Sequence, residues 1–143
     1  MLLNIYHNQI AIVFIARVFL GILFFFQGYD AVFNIKISGV INTFQDPLKE
    51  KAIPRFLIVL AAYYTSFIEL VGGFFLIVGF MKYNTLYLLG VDLLLVAFAF
   101  SMIRPMWDMQ FVFPRLLLLI FLLLVPYEWD VFSVDHIWTL LKK

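Results

Sequence analysis

Three ionisable side chains interrupt the long apolar runs of this chain: Arg17, Glu69 and Asp92. Glu69 stands near the middle of AAYYTSFIELVGGFFLIVGFM, residues 61–81, a run long enough to cross a bilayer. A carboxylate at that depth costs about 2.5–3.5 kcal/mol on insertion scales, so the rest of the chain must make it tolerable. The chemistry open to the three is ion pairing and proton transfer. An arginine stays charged and offers five donors in a planar fork. Arg17 is expected to hold one carboxylate bidentately and to spare a hydrogen bond for the other. With one arginine and two acids, one carboxyl is neutral or shares a proton. That acid, either Glu69 or Asp92, is the candidate proton-bearing group. The bland reading is a structural pin that fixes helix register, and the residues alone leave both readings open.

A second polar set is expected toward the opposite membrane face: Asp30, Arg104 and Arg115, with Arg55 nearby. Asp30 against Arg115 is the first pair expected there. A flat quinone ring has a candidate lining in Phe24, Phe25, Gln27, Tyr63 and Tyr64. His7 and His136 share a face but fall outside the crossings, which argues against haem ligation. GGFFLIVG lacks the flanking strand and polar ligands of a nucleotide loop. No nucleophile–base pair and no metal-ligand spacing stands out, so no metal is expected and the chain makes a weak case as an enzyme on its own. The sequence contains no cysteine, which excludes a thiol relay within the chain and any Cys-ligated zinc or iron–sulfur site.

The elements that must position these residues are hydrophobic helices. Of 143 residues, 65% are hydrophobic and 13% charged, against about 45–50% and 25% in soluble domains. A crossing helix needs about 20 residues. The runs therefore predict one all-α membrane domain over residues 1–143, a four-transmembrane-helix bundle with short loops. Its helices are expected at about 9–33, 54–80, 85–103 and 111–125. Amphipathic segments are expected after the first span and at the C-terminus. The start has no basic region or cleavage site of a signal peptide, so the first run reads as a permanent helix. Gly21 and Gly28 in the first span, and Ser66, Gly72 and Gly73 in the second, lie on faces thin enough for close helix contact. Counted along these helices at about 1.5 Å per residue, Arg17, Glu69 and Asp92 reach one level. A net charge of +1 gives no reason to expect a nucleic-acid partner.

In order and spacing, several short motifs resemble the DoxX family of small four-helix membrane proteins. Arg17-Val-Phe-Leu-Gly21-Ile-Leu-Phe24-Phe-Phe-Gln-Gly28 is similar to the family's R-x-x-x-G-x-x-F-x-x-x-G. Glu69-Leu-Val-Gly72-Gly73, followed by Gly79 and Lys82, resembles its E-x-x-G-G element and short basic turn. Ser133-Val134-Asp135 resembles the S-L-D element that follows the last helix. The resemblance implies a multi-pass protein of the bacterial inner (cytoplasmic) membrane, associated with quinone-linked redox systems. It points first to a non-catalytic subunit or accessory factor of a membrane redox complex. Its partners would be the lipid bilayer and other membrane subunits, or further copies of the chain in a homo-oligomer. A second hypothesis is a subunit that binds quinone or another lipophile, with Glu69 or Asp92 bearing the proton. A small transporter or a membrane-protein assembly factor is the third. Basic residues number three on the side of the termini (Lys82, Lys142, Lys143) and six on the other, which by the positive-inside rule places the termini outside. The family resemblance implies the reverse, and orientation stays open.

Overall fold

The computed structural model describes residues 2–49, 51, 53–103 and 108–142, which form helices and turns with no strand among them. Arg104 and Lys143 lie outside the described residues. Helix α1 (Leu2–Tyr29) runs into a π-helical turn (Asp30–Asn34), and α2 (Lys36–Lys49) follows. Lys36, the first residue of α2, takes a φ of 63°, a left-handed conformation that breaks the helical path from α1. Then come α3 (Arg55–Val78), α4 (Lys82–Ile103), α5 (Val112–Leu124) and α6 (Val134–Leu141). Short 3-10 turns at Asp108–Phe111 and Tyr127–Trp129 flank α5.

Among the described residues, three stretches are long and apolar enough to cross a membrane: Tyr6–Asn34, Arg55–Val78 and Lys82–Ile103. The expected fourth span, α5, has only 13 residues, or about 20 Å of helix against a hydrocarbon core of about 30 Å. The apolar side chains divide between two surroundings. Leu20, Phe24, Leu76, Leu86, Leu89 and Leu122 form the core, while Phe19, Phe26, Phe67, Phe74 and Phe98 point outward, as suits a bundle whose solvent is lipid.

The closest helix pair is α1 with α3. It is built on glycine. A Cβ added at Gly28 would stand 2.6 Å from Leu70 Cα, and one at Gly73 2.6 Å from Phe25 Cα. Backbone packs on backbone there, so only glycine fits. Gly21 is buried in the same contact, Gly72 faces Leu89 of α4, and Ser66 is buried beside them.

The first and third spans begin earlier than the hydrophobic pattern predicts. α1 starts at Leu2 because it has company beyond α3: the Tyr6 hydroxyl donates to the Glu128 carbonyl at 3.3 Å. α4 starts at Lys82 because the α3–α4 turn is only Gly79–Met81, with Gly79 at φ 73°. The Asp135 carboxylate then accepts the backbone N–H groups of Met81 and Lys82, each at 2.9 Å. A C-terminal residue thus caps a helix more than 50 positions earlier, which local sequence does not reveal.

After Pro126 the chain folds back. Ser133 caps α6 by accepting from His136 N–H, and donates its own hydroxyl to the Asp130 carbonyl. α6 leaves Ile137, Trp138, Leu140 and Leu141 exposed. This is the amphipathic C-terminal segment, suited to a headgroup interface. α2 is its counterpart after α1, resting mainly on α3 and burying Leu48.

Candidate functional site

The structure divides the interior charges into two layers. The outer layer lies where α3 ends and α4 begins. Arg17 is fully buried and all of its donor groups are engaged. Its Nε donates to Asp130 Oδ1 at 3.1 Å. Nη1 donates to the carbonyls of Leu76 and Ile77 at 2.5 and 3.0 Å, and Nη2 to that of Phe132 at 2.6 Å. Leu76 and Ile77 belong to the last turn of α3, whose carbonyls lack helical partners and carry the negative end of the helix dipole. Lys82 Nζ lies 3.5 Å from Asp130 Oδ2, with both side chains buried. With Asp135 close by, two cations meet two carboxylates, and the layer is neutral.

This overturns the expected network of Arg17, Glu69 and Asp92. Arg17 stands opposite Leu76 and Ile77. Glu69 lies seven or eight residues back along α3, about 11 Å away along the axis at the helical rise, beyond an arginine's reach. Arg17 pairs instead with Asp130.

The inner layer holds Glu69 and Asp92. Each is about ten residues from the α3–α4 turn, so the two share a level about 15 Å inside. Glu69 Oε1 accepts from Gln27 Nε2 at 2.6 Å. Glu69 and Asp92 interact with each other and with Arg115, and Thr65 lies beside Asp92. Neither Asp92 oxygen nor Ser66 Oγ has a hydrogen-bond partner among the described residues, and all three atoms are buried. The cation of this layer is Arg115, not Arg17. Its guanidinium lies over the Phe24 ring, 5.5 Å from the centroid.

The second expected cluster is not present as drawn. Asp30 is exposed and accepts from Asn34, one turn on, at 2.8 Å. Arg115 faces the inner acids instead, because α5 is short and its third and fourth residues already lie at their depth. The quinone lining also disperses. Phe24 is core, half of a cation–π pair. Phe25 packs against Gly73, and Tyr63 stacks on Phe67 at the exposed face. Tyr64 donates to the Leu88 carbonyl at 2.9 Å. Gln27 alone of the five lines a cleft beside the charges. That cleft, about 380 Å³, is walled by Gln27, Val96, Phe100, Phe111, Val112 and Arg115.

Sequence reasoning missed Asp130, Lys82 and the capping role of Asp135. The one trace of Asp130 in the sequence is its place as the second of two acids, Glu128 and Asp130, that follow Pro126.

A helical bundle with three membrane-length helices, glycine-mediated contact between two of them and buried charge at two depths defines a polytopic membrane protein. It belongs to the DoxX family, whose model matches residues 12–102, more than half of the chain. No curated protein and no solved structure matches the chain.

Proposed function

We propose that this chain is a membrane subunit that binds a lipophilic ligand with a small polar head, a quinone or a molecule like it, beside a redox partner in the bacterial inner membrane. The observation that carries this reading is the cleft lined by Gln27, which donates to Glu69, and by Arg115, which faces Glu69 and Asp92. Arg115 supplies donors to a ligand carbonyl, and Gln27 still has its amide oxygen to accept. Two carboxyls against one guanidinium favour a shared proton, which a ligand hydroxyl or carbonyl can give or take. These side chains bind ligands and move protons. None carries electrons, so electron transfer is assigned to the partner and the chain itself to a non-catalytic or accessory role.

In this reading α5 is the fourth crossing, with the bilayer thinned locally around it or the flanking turns completing the path. Both termini then lie on one side. Extraction of quinones from the protein purified in mild detergent tests the proposal. Quinone is expected with the wild type and is lost with Glu69→Gln or Arg115→Leu. Unchanged quinone content in both variants sinks the site. Co-purification of a redox partner from native membranes tests the subunit role separately.

A further inference from the structure

The 380 Å³ cleft is the inner member of three spaces in a row. Beside it, and sharing Val96 with it, lies a narrow space of about 80 Å³. Val40, Phe44 and Leu48 of α2 roof that space, and Thr65, the neighbour of Asp92, lies at its inner side. Outward, it shares Leu48, Ile58, Ala61, Leu95 and Ala99 with a groove of about 600 Å³ between α3 and α4. The groove opens on the lipid-facing surface, where Leu60, Leu88, Val91 and Phe98 are exposed. Polar groups occur at the inner end, and the rest of the route is apolar except for the Tyr64 hydroxyl, already bonded to Leu88. The waist is floored by alanines, which leave room for one chain.

α2 is joined to α1 through the π-helical turn and the left-handed Lys36. It is held over the route by buried Leu48 and by Phe44, whose ring lies 5.6 Å from that of Phe100 on the wall of the inner cleft.

We propose that the ligand is a single-tailed lipophile that reaches the Gln27–Arg115 cleft sideways from the bilayer, its head in the cleft and its tail running beneath α2 into the α3–α4 groove. The order wide, narrow, wide, with polarity only at the inner end, suits one tail and not the two of a phospholipid. This rests on the ligand-binding reading above and adds the ligand's shape and its route.

Two probes separate the two claims: a benzoquinone carrying a decyl tail and the same ring carrying only a methyl group. Affinities are measured on the detergent-purified full chain by equilibrium dialysis. The tailed probe is expected to bind at least about tenfold tighter after correction for each probe's partition into protein-free micelles, a difference of about 1.4 kcal/mol from close packing of the tail in the waist and groove. Ala61→Trp and the milder Ala99→Leu fill the waist. Both are expected to erase that gap while leaving methyl-probe affinity within about twofold, a difference of about 0.4 kcal/mol. Arg115→Leu is expected to weaken both probes. A gap that survives both waist variants, in protein that keeps wild-type helicity, overturns the tail route and leaves the head site standing. If neither probe binds, or Arg115→Leu changes neither affinity, the head site falls and the route falls with it.

Discussion

Arg17 and Asp130 are 113 residues apart in sequence and 3.1 Å apart in space, both buried. Their contact joins α1 to the C-terminal segment, and the other guanidinium bonds reach the last turn of α3 and the carbonyl of Phe132. Gly79 makes room for it: a Cβ there would lie 2.7 Å from Arg17 Nη1 and 2.6 Å from Ser133 Cβ. One guanidinium thus registers three elements, which suits an architectural role. In the inner layer, by contrast, neither Asp92 oxygen has a hydrogen-bond partner among the described residues, and the proposed proton chemistry is placed there.

Asp130 balances two cations, so its loss is the most damaging change in the outer layer. Asp130→Leu strands both Arg17 and Lys82, and is expected to cost at least about 3–5 kcal/mol, the range for breaking one buried pair. Arg17→Leu leaves Asp130 with Lys82 and should be milder, though three carbonyls lose their donor. Combining Asp130→Leu with Lys82→Met should recover part of the loss. Thermal unfolding in detergent gives the ranking. If Asp130→Leu unfolds at the wild-type temperature, the layer does not hold the bundle together.

The α1–α3 contact makes a sharp distinction among glycines. Gly28→Ala and Gly73→Ala drive a methyl into backbone that cannot yield, and each is expected to destabilise by about 1–3 kcal/mol. Gly90→Ala meets only the Leu119 side chain at 3.8 Å, so it is expected to fall within about 0.5 kcal/mol of wild type. Equal melting shifts for all three would contradict the helix spacing described above.

Asp135 is a helix cap supplied from a distance. Asp135→Ala removes the acceptor for two N–H groups at the start of α4 and is expected to cost about 1–2 kcal/mol. Asp135→Asn keeps one acceptor and should fall between. Because the same bonds tether α6, limited proteolysis should release the C-terminal segment of Asp135→Ala first. Cleavage at the wild-type rate would mean that α6 is held by something else, such as the lipid interface.

Much of this was legible in the sequence, and the parts that were not share a cause. Runs of apolar residues locate α1, α3 and α4, and Gly21, Gly28 and Gly73 mark contact faces on two of them, though not that the two faces meet each other. Glu69 and Asp92 were placed at one level by counting along two helices joined by a short turn. Counting failed for Arg17, because α1 runs well past the end of α3, so its start does not mark the level of the α3–α4 turn, and Arg17 lies opposite Leu76 and Ile77 in the last turn of α3. It failed for Arg115 because α5 is short. Pairings that depend on tertiary return of the chain, such as Arg17 with Asp130 or Asp135 with Lys82 N–H, leave no periodic trace. The five aromatic and amide residues expected around a ring fall in two short stretches, 24–27 and 63–64, and within each the helical rotation separates them, sending Tyr63 outward and Phe24 inward.

The inner layer gives the most discriminating test, because its charge balance depends on one residue. Arg115 is the cation facing Glu69 and Asp92 among the described residues. Arg115→Leu leaves two buried acids with no counter-charge and is expected to lower stability by about 3 kcal/mol or more. Adding Glu69→Gln to it removes one of those ionisable groups while keeping an amide oxygen for Gln27 to bond. The double variant should therefore unfold at a higher temperature than Arg115→Leu alone. Glu69→Gln in the wild-type background should be close to neutral for stability, since the Arg115–Asp92 attraction remains. Had Arg17 been the partner, the rescue would appear with Arg17→Leu instead. Rescue of Arg17→Leu by Glu69→Gln, and none for Arg115→Leu, would reverse the assignment of the two layers.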